Sequence, residues 1–186
     1  MIITLCIPCV DQHIPLLLKL LSTVDDFTRK PDKIIISLSP KFENYNLINK
    51  KDEILKQFSH LPLEILVQNK LTHAAMHLNI MGKMIKDGYI LRADADDIIH
   101  PQKLEIIEKI VSIYPDTKLL LHKVRCSKER NYNIKKFNYI DCANIENDIL
   151  NVESRIINNR LLLCSDMFNK KYNKNIIEFL DRSNCI

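Results

Sequence analysis

Short β-rich apolar runs alternate with amphipathic helical segments through the first two-thirds of this 186-residue chain, and that alternation leaves few folds open. Residues 2–7 read as a strand ended by Pro8, and 14–24 as a helix with Leu17, Leu18, Leu20 and Leu21 on one face. Residues 33–38 make a second strand, 49–58 a helix, and 63–67 a third strand. Residues 74–86 make a helix with Met76, Ile80 and Met84 on its apolar face, and 89–93 a fourth strand. The strongest helix is 102–114. Its Leu104, Ile107, Ile110 and Val111 face inward, and Lys103, Glu105, Glu108 and Lys109 face out. Pro101 stands at a favoured helix start and Pro115 follows the end. Residues 118–122 form a fifth strand. Such alternation predicts an α/β fold, a mostly parallel central sheet with helices on both faces.

Beyond Lys123 the pattern degrades. Asn-rich, charged stretches at 129–136 and 144–151 separate short apolar runs, of which 161–164 is the clearest strand. The expected organisation is an α/β core over residues 1–125, with 126–186 as an extension of the same domain on the acceptor side.

Composition excludes several classes. Only Gly82 and Gly88 are glycines, which rules out glycine-rich phosphate loops of the P-loop or Rossmann type. The net charge of +4 is spread along the chain. It therefore argues against nucleic acid and suits an anionic small molecule. Asp11 and Lys19 interrupt the only long apolar stretches near the N-terminus, which lacks a basic leader. No membrane span or signal peptide is expected, and a cytoplasmic, soluble protein is. The cysteines at 6, 9, 126, 142, 164 and 185 read as reduced, mostly buried thiols.

The chemistry concentrates in residues 89–103, Y-I-L-R-A-D-A-D-D-I-I-H-P-Q-K. An apolar pair, Ile90 and Leu91, runs into Asp94, Asp96 and Asp97. Carboxylates packed so closely repel one another unless a cation neutralises them, and oxygen ligands of this kind suit hard ions such as Mg²⁺ or Mn²⁺. An ion held by only one or two carboxylates completes its shell with water and substrate phosphates. The segment therefore reads as a metal-diphosphate site. The competing reading is a solvated acidic turn capping the next helix. Ligands of parallel α/β sheets bind beyond the carboxyl ends of the strands, where Pro8, the Ser37–Ser39 segment and Asp94 all fall.

These residues resemble the nucleotide-sugar domain of family 2 glycosyltransferases, of the GT-A type. The likeness rests on Ala74, Ala75, Asn79 and Ile80, then on Arg92 and Asp94 to Asp97, then on His100 to Glu105, with Ile7 and Pro8 ending the first strand. It covers roughly residues 1–125. It implies that Asp94 contacts the ribose or the metal, that Asp96 binds the Mn²⁺ or Mg²⁺ bridging the diphosphate, and that Asp97 orients the site from behind. Pro8, Cys9, Val10 and Asp11 would line the base and ribose pocket, with Ser37, Ser39, Asn79, Arg92 and Ala95 as further donor contacts. Two departures stand out: Ser37 and Ser39 replace an Asp-rich base-reading segment, and Leu78 replaces an Arg.

The resemblance implies a metal-dependent transfer, with inversion, of a hexose from a nucleotide-diphosphate sugar, UDP-sugar by default, to a glycan or other hydroxyl acceptor. It also asks for a catalytic base far along the chain, where only Glu178 and Asp181 stand. A nucleotide-sugar-binding module or partial enzyme without a base is the alternative. Cys6-Ile7-Pro8-Cys9 invites a thioredoxin-like redox reading or, with His13, a zinc site. His73 and His77 have the i, i+4 spacing of metal ligands, or of ordinary surface or packing residues.

Overall fold

The first strand, β1 (Ile3–Val10), is almost wholly buried and forms the centre of the molecule. The computed structural model describes residues 1–41 and 47–116 in full, and the backbone of 119–120 and 167–169. After β1 come α1 (Ile14–Thr23), β2 (Lys33–Ser39), α2 (Leu47–Gln57), β3 (Leu63–Val67), α3 (Ala74–Met84), β4 (Tyr89–Arg92) and α4 (Lys103–Ile113). Two short strands, β5 (Leu119–Leu120) and β6 (Met167–Asn169), complete one sheet of order β3-β2-β1-β4-β6-β5. The four long strands run parallel, and β6 lies antiparallel between β4 and β5. A segment from beyond residue 125 thus belongs to the central sheet. The expected strand at 161–164 lies outside the described residues.

Alternation along each strand sorts the core into two layers. Ile3, Leu5, Ile7 and Cys9 of β1, with Ile34, Ile36 and Leu38 of β2, pack under α1, α2 and α4. The opposite face carries Cys6 and Ile35 against Met81 and Ile85 at α3. Helices therefore cover both faces, as the alternation predicts.

Two local differences are informative. β1 does not end at Pro8 but runs on to Val10, pairing with β2 throughout. Proline is tolerated inside a central strand only where its missing N–H has no partner to lose. That condition is met here. The even-numbered residues of β1 turn their backbone polar groups toward β4, as in the bonds Tyr89 N to Ile2 O and Ala93 N to Cys6 O. The β1–β4 pairing stops at Cys6–Arg92. Pro8 lies just past it, where the two strands have parted. The second difference is the roll of α3. Met76 is exposed, and the buried positions are His77 and Met81. A polar anchor, not the Met76–Ile80–Met84 stripe, sets which side faces the sheet.

Candidate active site

The winding of the sheet positions the site. From β1 the chain proceeds outward to β2 and β3, then crosses through α3 to β4 on the other side of β1. The connections reverse direction between β1 and β4, and a crevice at such a switch point is where open α/β sheets bind ligands. The segments that leave the sheet at this point are Pro8–Asp11, from β1, and Arg92–Asp97, from β4.

On the β4 side the chain leaves the sheet in a tight turn. The Asp97 N–H donates to the Asp94 carbonyl at 3.0 Å, and Asp97 Oδ2 accepts the Asp94 N–H at 2.8 Å. Asp97 is exposed as a residue, but its carboxyl end folds back over the turn. Burial of that end raises its pKa, with the charges of Asp94 and Asp96 adding to the effect and the Asp94 N–H opposing it. Ala95 is buried at the corner, and Asp96 is exposed. Arg92 Nη2 stands 3.3 and 3.4 Å from the two carboxylate oxygens of Asp94. Asp97 is thus committed to holding the turn, while Asp94 and Asp96 project from it.

On the β1 side, Asp11 Oδ1 accepts the N–H groups of Gln12 at 2.7 Å and Lys41 at 3.2 Å. It ties the loop after β1 to the loop after β2. Lys41 Nζ donates to Gln12 Oε1 at 2.8 Å across the same gap. Cys9 is buried, and its thiol is pushed up to about 12 by burial first, then by the charges of Asp11 and Asp96.

Ser37 and Ser39 are fully buried, and their hydroxyls meet the ring of His77, at 2.7 and 3.1 Å. Asn79 is exposed, on the side of α3 turned away from His77. Glu178 and Asp181 lie outside the described residues. His77 is the functional candidate that pattern reading left as a packing residue or ligand. The signal for it is the pair of serines in I-I-I-S-L-S, since two hydroxyls on one face of a buried strand require a polar partner.

The redox reading fails on geometry. Cys6 and Cys9 belong to opposite faces of the sheet, and burial pushes both up to about 12, the reverse of a reactive thiol. A groove lined by Ile48, Asp52, Ile65, Val67 and Met84 lies over the outer strand β3, away from the acidic turn. Among the described residues no group of three or more His, Cys, Asp or Glu side chains could hold a metal ion. Two carboxylates on an exposed turn are nonetheless a fitting donor set for Mn²⁺ or Mg²⁺ when phosphate oxygens and water supply the rest.

No family model and no curated protein match the sequence. Solved structures do match the fold. The crystal structure of Staphylococcus aureus TarS 1–349 superposes with a TM-score of 0.57 at 14% identity, covering 72% of this chain and 38% of that one. The same protein in complex with UDP-GlcNAc gives 0.55 at 13% identity, over 69% and 36%. The mannosyltransferase PcManGT from Pyrobaculum calidifontis, in complex with GDP-Man and Mn²⁺, gives 0.51 at 15% identity, over 71% and 37%. The chain has a GT-A-like glycosyltransferase fold. It spans well under half the length of these similar chains. Among the described residues no helix is long and apolar enough to cross a membrane.

Proposed function

We propose that this chain is a metal-dependent glycosyltransferase of the family 2 kind, which transfers a hexose from a nucleotide-diphosphate sugar, UDP-sugar by default, to a hydroxyl acceptor with inversion. The observation that carries this reading is the turn of Asp94 to Asp97, stapled by Asp97 and set at the switch point between β1 and β4. The fold likeness supports it, because PcManGT was solved with GDP-Man and Mn²⁺ and TarS with UDP-GlcNAc.

In this reading Asp96 and Asp94 would hold Mn²⁺ or Mg²⁺, which would supply neutralisation of the charge on the departing nucleoside diphosphate. Asp97 keeps the turn from relaxing, and Arg92 orients the Asp94 carboxylate. Pro8, Cys9, Val10 and Asp11 form the nucleoside wall, with Ser37 and Ser39 behind it. Asn79 and Ala95 complete the donor contacts carried over from the resemblance. Asp181, or Glu178, takes the proton from the acceptor hydroxyl as the new bond forms. Residues 126–186 supply the acceptor side.

Calorimetric titration of UDP, GDP and UDP-sugars with and without Mn²⁺, on wild type and Asp96→Ala, tests the site. The expected result is Mn²⁺-dependent binding weakened at least tenfold in the variant, with thermal stability unchanged. If no nucleotide binds with metal present, the acidic turn is only a helix-capping loop. Once binding is established, Asp181→Asn separates enzyme from binding module. Abolished transfer with intact binding identifies the base, whereas a wild type that binds but never transfers favours the module.

A further inference from the structure

His77 is 1% exposed and lies where α3 crosses the carboxyl end of β2. Its Nδ1 is 2.7 Å from Ser37 Oγ and its Nε2 3.1 Å from Ser39 Oγ. Gln68 Nε2, just past β3, donates to Ser37 Oγ at 3.2 Å. One imidazole therefore joins α3 to β2, with Gln68 bracing Ser37 from the β3–α3 connection. Ser37 and Ser39 are in turn the register partners of Pro8 and Val10 in β1. The carboxyl ends of β2 and β1 are thus paired neighbours in the sheet.

We propose that His77 is a positioning residue for the nucleotide pocket, bridging Ser37 and Ser39 so that the carboxyl ends of β2 and β1 keep the arrangement a nucleotide meets. The inference rests on the nucleotide-sugar reading above. A neutral imidazole has one donor and one acceptor nitrogen, so one serine donates to it and the other accepts from it. In either tautomer one ring nitrogen accepts a serine O–H while the other donates to the second serine. A doubly protonated ring reverses the first of these bonds and strands a buried hydroxyl proton, which costs about 1–3 kcal/mol in general. Burial lowers the ring's pKa first, and His73, at the start of the same helix, lowers it further against an opposing contribution from the Thr72 backbone. Among the described residues, Lys51 and Asp52 of α2 are the charged groups that line the groove beside Gln68. β2 contributes Ser37 and Ser39, β3 leads into Gln68, β1 contributes Pro8 and Val10, and β4 carries Arg92, already beside Asp94.

The test combines two measurements between pH 5 and 8 on wild type, His77→Asn and the milder Ser39→Ala. Amide hydrogen exchange reports protection factors at residues 9–10 and 37–39. Calorimetry reports the affinity for UDP with Mn²⁺, and the variants cancel the titration of the phosphate itself. In wild type, protection at both segments and UDP affinity are expected to fall together on acidification, the affinity about tenfold more steeply than in His77→Asn. Both variants should already be less protected and bind several-fold more weakly at pH 7.5. Protection factors identical in all three proteins at every pH would overturn the positioning role even if UDP binds. A wild type that binds no UDP at any pH defeats the nucleotide reading and the pocket role with it. The exchange data then still show whether His77 holds the strand ends.

Discussion

Asp97 and Asp94 grip each other through the backbone: the Asp97 carboxylate accepts the Asp94 N–H at 2.8 Å while the Asp97 N–H donates to the Asp94 carbonyl at 3.0 Å. The pair closes the turn that presents Asp96. Because burial raises the Asp97 pKa, the folded state holds a proton more readily than the unfolded chain does. Stability should therefore fall as pH rises from the ordinary Asp range through the raised folded value, then level off. Asp97→Asn keeps an acceptor for the Asp94 N–H and removes the charge, so its urea midpoint should lose this component of the pH dependence. Asp97→Ala removes the acceptor and should lose about 1 kcal/mol. Parallel pH profiles for wild type and Asp97→Asn would refute the assignment.

Asp32 behaves in the opposite sense. Its carboxylate is partly desolvated, but the Ile3 N–H at 2.7 Å and Arg29 Nη2 at 2.8 Å outweigh that and lower its pKa. Its contribution is present above the unfolded value and is lost as pH falls through the depressed folded one. Asp32→Asn should cost about 1 kcal/mol at pH 7. In acid unfolding, the gap to wild type should close.

Gly88 turns the chain into β4 with φ of +83°, and a Cβ there would sit 2.6 Å from the Ile2 carbonyl oxygen. That oxygen accepts the Tyr89 N–H at 2.9 Å, so it cannot easily retreat. Gly88→Ala should destabilise by more than about 1 kcal/mol, from the backbone conformation and the clash together. Gly82, with nothing within 4 Å of its added Cβ, serves as the control: Gly82→Ala lies within a helix and should stabilise slightly.

Cys6 and Cys9, buried and pushed up to about 12, should resist iodoacetamide at pH 8 in the native protein and react fully in urea. Peptide mass spectrometry reads this directly. Rapid native labelling of either thiol would revive the redox alternative.

The strands and helices of the core were legible because each is written in local periodicity. The 63–67 strand falls where the spacing puts it, and the 102–114 helix forms over Lys103–Ile113. The acidic turn was legible for a related reason, since three carboxylates after an apolar strand demand explanation wherever they stand. The roll of α3 was not. Met76 looks like a core residue by spacing, yet it is exposed because His77 finds two serines that lie 40 and 38 residues away in sequence.

By itself, the sequence determined the alternation of elements, the parallel sheet covered on both faces, and the carboxylates at the end of the fourth strand. These follow from hydrophobic spacing and from the repulsion of neighbouring charges, which act over a few residues. Only the tertiary structure decided that β4 pairs with β1, so that the winding reverses beside the acidic turn, and that β1 outruns its pairing with β4 at Pro8. It alone closed the His77–Ser37–Ser39 bridge at the carboxyl end of β2. Strand order, register and buried polar pairing depend on contacts between distant segments, and no local pattern encodes which distant partner a strand or a side chain will meet.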